Sequence, residues 1–137
     1  MRPFQEFRVW QASHELTLVV YDLTRAFPRE ELFGLTGQMR RAAASIPTNI
    51  AEGSARGDKE FHQFLRIALG SAAELEYQLM LARDLTYLGV QRHQEINDML
   101  SSVKRMLVTF LQTVERPGAR ASGQRPTANG QRRAAPQ

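Results

Sequence analysis

A proline stands in the middle of a helical pattern: Ser45-Ile46-Pro47-Thr48-Asn49-Ile50-Ala51-Glu52-Gly53. Around it Leu35, Met39, Ala42, Ala43, Ile46 and Ile50 recur at the spacing of one buried helix face. Proline has no backbone N–H and crowds the preceding turn, which costs about 3 kcal/mol in a helix interior. The segment from 35 to 55 is therefore expected to be a kinked or interrupted helix with a particular role in packing or binding.

Three other segments carry the same period. Val9, Ala12, Leu16, Val19 and Leu23 predict a helix over 7–26, which Pro28 ends. Phe61, Phe64, Leu65, Ala68, Ala72, Leu75, Leu79 and Ala82 predict the longest, over 58–88. Asp58 is its expected N-cap, and Gly89 suits the left-handed position after its end. Ile96, Met99, Val103, Met106, Phe110 and Val114 predict a fourth over 92–115. Alternating β-branched runs and Asn-Gly turns are lacking before the tail. The expected fold is all-α, an antiparallel up-and-down four-helix bundle formed by residues 1–115.

The 137 residues fit one domain and include no cysteine, which excludes disulfides and thiolate chemistry. No stretch is apolar for long enough to span a membrane, and the N-terminus lacks a signal-peptide run. A cytoplasmic protein is expected. The net charge of +4 is unevenly placed: residues 116–137 hold five arginines and no acid, so the body has 13 basic against 14 acidic residues. That tail also lacks Leu, Ile, Val, Phe and Met, and is expected to be disordered. It reads either as a solubilising extension or as a weak polyanion contact.

Specific catalytic signatures are missing. His14-Glu15-Leu16-Thr17-Leu18 opens like a zinc-protease helix but has leucine where the second ligand belongs. Glu60-Phe61-His62 has the wrong spacing for a di-iron bundle. No enzyme activity, catalytic residue, metal or cofactor is expected. Arg40, Arg41, Arg56, Lys59 and Arg66 are the candidate nucleic-acid contacts, since cations that neutralise phosphates supply sequence-independent affinity. Glu52, Asp58 and Glu60 lie among them, so a solvated, salt-bridged face is the alternative.

Asn49 and Glu52 share a helix face beside Ile46 and Ile50 and need polar partners if buried. Ser71 and Glu74 are candidates across the interface, with Arg41 or Arg56 nearby. Asn49, Glu52 and Ser71 are thus expected to form a polar latch fixing helix register. A ligand contact is the competing reading. The first and third helices carry more apolar residues than one buried stripe needs, as in Leu16-Thr17-Leu18-Val19-Val20-Tyr21 and Leu79-Met80-Leu81-Ala82. Homo-oligomerisation through these two helices is expected.

The run from Gln38 to Arg56, with Ser45-Ile46-Pro47-Thr48-Asn49-Ile50-Ala51-Glu52-Gly53 at its centre, resembles the signature of the proteins encoded in 23S ribosomal RNA intervening sequences. The stretches Phe7–Leu16 and Phe64–Glu76 are similar to other parts of that family. The resemblance implies a bundle that assembles as a ring-like homo-oligomer, a pentamer. It extends to the accessory variability protein of diversity-generating retroelements, a basic pentamer that binds nucleic acid beside a reverse transcriptase. The near-neutral body of this chain departs from that relative. The expected function is a non-enzymatic RNA- or DNA-binding accessory protein, with a reverse transcriptase or another protein as partner. The alternative is an oligomeric scaffold that recruits a protein without touching nucleic acid.

Overall fold

The computed structural model describes residues 2–114. Four helices follow one another: α1 (Arg8–Thr24), α2 (Leu35–Ser54), α3 (Asp58–Asp84) and α4 (Val90–Thr113). Short 3₁₀ turns at Phe4–Glu6 and Arg29–Glu31 precede α1 and α2. No strand occurs among the described residues. The expected disordered tail lies outside them.

α1 packs on α2 and α4, and α3 packs on the same two, while the backbones of α1 and α3 stay apart. The four helices therefore surround one core as a four-helix bundle. Its centre is Leu16, Val20, Met39, Ile46, Ile50, Leu65, Leu75, Leu79, Ile96 and Leu107, all sealed from solvent. Each such side chain contributes about 1.5–3 kcal/mol by leaving water. Most of these are the periodic positions read from the sequence, but Val20 and Leu107 are not. In α1 and α4 the buried face is turned from the one the spacing marked, and Val19, Leu23, Met99 and Met106 are only partly buried.

The two ends of the bundle are held differently. At one, Phe7 stacks on Phe61 with ring centroids 6.2 Å apart, and both meet Phe110 edge-on at 5.1 and 5.4 Å. Gly53 makes this end possible: a Cβ there would stand 2.6 Å from Phe64 Cβ and 2.9 Å from Phe61 Cδ1. At the other end Tyr87 donates its hydroxyl to Glu31 Oε2 at 2.9 Å, and Glu31 Oε1 accepts the Leu35 N–H at 3.1 Å. One carboxylate thus caps α2 and ties it to the α3–α4 turn.

Two local expectations are corrected and one is narrowed. α2 runs through Pro47 without interruption. Asp58 is the first residue of α3 and Gly57 its N-cap, so Asp58 and Glu60 favour the helix start by charge. The left-handed residue after α3 is Thr86, with φ of 65°, whereas Gly89 takes an extended conformation as the N-cap of α4. Tyr87 N–H reaches the Ala82 carbonyl and Thr86 N–H the Arg83 carbonyl, which closes α3 as a Schellman motif.

Candidate functional site

Pro47 leaves the Ala43 carbonyl without its helical donor, because the N–H four residues on does not exist. The Thr17 hydroxyl fills the gap. Its Oγ1 lies 3.1 Å from the Ala43 oxygen and 2.8 Å from the Ser13 oxygen. Ser13 already has the backbone N–H of Thr17 within α1, so the hydroxyl proton matters most to Ala43. Thr17 is buried on α1 between Leu16 and Val20, on the face that also buries Ser13 and Thr24. Reading the sequence for polar residues around the proline missed it. The available signal was a run of hydroxyls, Ser13, Thr17 and Thr24, on the buried face of α1.

On the α3 side of the same helix, Asn49 Nδ2 donates to the Ser45 carbonyl at 2.7 Å and to Ser45 Oγ at 2.9 Å. Ser45 Oγ lies 2.8 Å from Ser71 Oγ across the interface. The latch is therefore Asn49–Ser45–Ser71, with Ser45 an unforeseen link. Glu52 stands outside it. Its carboxylate is exposed and pairs with Arg56 at 3.2 Å, one of the partners its position suggested.

The candidate cations do not gather into one patch. Arg40 and Arg56 are roughly 24 Å apart along α2 at about 1.5 Å per residue. Arg40 turns onto α1, donating to Thr24 Oγ1 at 2.8 Å and to the Tyr21 carbonyl at 3.3 Å. Its guanidinium rests 4.8 Å from the centre of the Tyr21 ring. A cation there complements the carbonyl end of α1. Arg56 lies over Phe64 between Glu52 and Glu60, the second at 3.5 Å. Such exposed pairs contribute at most about 1 kcal/mol, but they offset the charge. Arg41, Lys59 and Arg66 reach solvent.

The outer surface also carries large apolar side chains. On α3, Ile67, Tyr77 (57% exposed) and Met80 flank the small residues Gly70 and Ala73. On α1, Leu18 (54% exposed) and Tyr21 are exposed as well. Among the described residues no three metal-ligating side chains come together, and no helix is long and apolar enough to cross a membrane. His14 stacks on Trp10 with centroids 5.0 Å apart.

Comparison with known proteins adds a family. The model described as 23S rRNA-intervening sequence protein matches residues 5–109, from the start of the bundle to the last turns of α4. No curated protein matches. Among solved structures, the chain is similar to a crystal structure of a protein of unknown function from the S23 ribosomal protein family of Bacteroides thetaiotaomicron VPI-5482. Identity is 26% and the TM-score 0.71, over 76% of this chain and 95% of that one.

Proposed function

This chain belongs to the 23S rRNA-intervening sequence protein family, and we propose that it acts as a non-enzymatic scaffold, a bundle that associates with copies of itself. The exposed apolar faces of α1 and α3 carry this reading. Those helices occupy opposite corners, because each packs on α2 and α4 while their own backbones stay apart. Two unlike patches on opposite sides favour head-to-tail association, which closes into a ring when the rotation allows. The antiparallel up-and-down arrangement fits the cross-helix contacts. Gly53 abuts Phe61 and Phe64 near the α2–α3 turn, and Ser45 meets Ser71 further from it along both helices.

Sedimentation equilibrium of the full chain tests the proposal. Wild type is expected to be oligomeric at micromolar concentration, pentameric by the family resemblance. Leu18→Asp and Tyr77→Asp, both at exposed positions, are expected to yield folded monomers. A monomeric wild type sinks the idea.

Nucleic-acid contact is the second reading. It rests on Arg41, Lys59 and Arg66, which are exposed, and a ring would repeat them in every protomer. Changing all three to glutamine is expected to weaken polynucleotide binding across sequences and flatten its salt dependence. Equal binding by this triple variant refutes the reading.

A further inference from the structure

A cleft of about 160 Å³ opens where the end of α1, the Arg29–Glu31 turn and the start of α2 meet. We propose that it binds a phosphate-type oxyanion. Three arginines from three elements line it: Arg25, Arg29 and Arg40. Arg25 pairs with Asp22 at 3.4 Å. The other two keep their charge. Arg40 gives its hydrogen bonds to the Thr24 hydroxyl and the Tyr21 carbonyl, which are neutral. Arg29 makes no ion pair among the described residues. The nearby Glu31 carboxylate is not part of the cleft's lining; it accepts from the Leu35 N–H and the Tyr87 hydroxyl.

Thr36 is a second, independent sign. It lines the cleft and is only 3% exposed, yet nothing among the described residues bonds to its hydroxyl. Among the described side chains, Gln78 Oε1 is the polar atom both sealed from solvent and without a partner. The Thr36 oxygen therefore keeps its access through the cleft. A hydroxyl so placed is a ready donor to an oxyanion that two uncompensated guanidinium groups attract. At about 30 Å³ per water, the cleft has room for a few waters. That suits a tetrahedral oxyanion.

The anion is either free, as inorganic phosphate or a small phosphate ester, or part of a polynucleotide backbone. The site stands or falls separately from self-association. Thermal melting of the full chain with inorganic phosphate tests it. Phosphate is expected to raise the Tm saturably beyond sodium chloride of equal ionic strength. Arg29→Gln removes no contact of the fold and is expected to raise the half-saturating concentration about tenfold. Thr36→Val is expected to raise it a few fold. A phosphate effect no larger than that of chloride, or one unchanged in Arg29→Gln, overturns the proposal. With phosphate binding in place, a labelled single-stranded oligonucleotide separates the sources. If phosphate displaces it from wild type but not from Arg29→Gln, the cleft takes a backbone phosphate. If phosphate does not displace it, the cleft takes the free anion.

Discussion

The Thr17 hydroxyl lies 3.1 Å from the Ala43 carbonyl oxygen, the acceptor that Pro47 leaves without a helical donor. A defect in α2 is thus repaired by a side chain of α1, and the two helices are joined at the point where one is weakest. Thr17→Val keeps the shape and removes the donor. A buried carbonyl left unpaired costs about 1–3 kcal/mol, and urea unfolding is expected to show a loss of that size. Pro47→Ala restores the N–H. In the double variant the Thr17 substitution is expected to cost clearly less, a coupling that a double-mutant cycle measures.

Gly53 and Gly70 are expected to respond in opposite directions to alanine. Both lie within helices, where Gly→Ala gains up to about 1 kcal/mol from propensity. At Gly70 a Cβ meets nothing within 4 Å, so stability is expected to rise. At Gly53 it would stand 2.6 Å from Phe64 Cβ. Overpacking of this kind costs about 1–3 kcal/mol, and Gly53→Ala is expected to be net destabilising. Thermal midpoints of the two variants decide the comparison.

Thr86 holds a left-handed conformation with φ of 65°, which is unfavourable for a β-branched residue. Thr86→Gly is expected to stabilise the protein by about 1 kcal/mol, since glycine adopts this conformation without a Cβ penalty. The same substitution at an exposed helical position would destabilise, so the sign of the change in denaturant midpoint tests the assignment.

Tyr87 carries the alkaline sensitivity. Its hydrogen bond to Glu31, then burial, then the charges of Glu31 and Glu30 raise its pKa above the usual 10.0. Folding therefore favours the neutral phenol. That contribution is fully present below the unfolded value and is lost as pH rises through the folded one. Tyr87→Phe is expected to lower the urea midpoint at neutral pH. The difference from wild type is expected to shrink at strongly alkaline pH.

The helices were legible because most of the core is built from positions whose spacing announces it, from Leu16 through Ile96. Val20 and Leu107 were not among them, because the final rotation of α1 and α4 is set by packing. The latch was half legible: Asn49 and Ser71 stood out as polar residues on otherwise apolar or small-residue faces. Ser45 did not, because its part depends on the register of α2 against α3, which no local pattern contains. Thr17 was missed for the same reason between α1 and α2. Arg40 looked like a surface cation, but a long side chain turns toward whichever neighbour offers acceptors, and α1 offers Thr24 and Tyr21. Gly89 was the better left-handed candidate by residue type. The chain turns earlier, at Thr86, because α3 stops at Asp84.

The unequal ends of the bundle divide its responses to solution conditions. The Phe7–Phe61–Phe110 end is joined by ring contacts that neither protons nor salt can weaken much. The Glu31–Tyr87 and Arg40–Thr24 end depends on a carboxylate, a phenol and a guanidinium. Strongly alkaline pH therefore acts on the molecule from the side of the Glu31–Tyr87 tie, while the ring packing of the other end has no proton to lose.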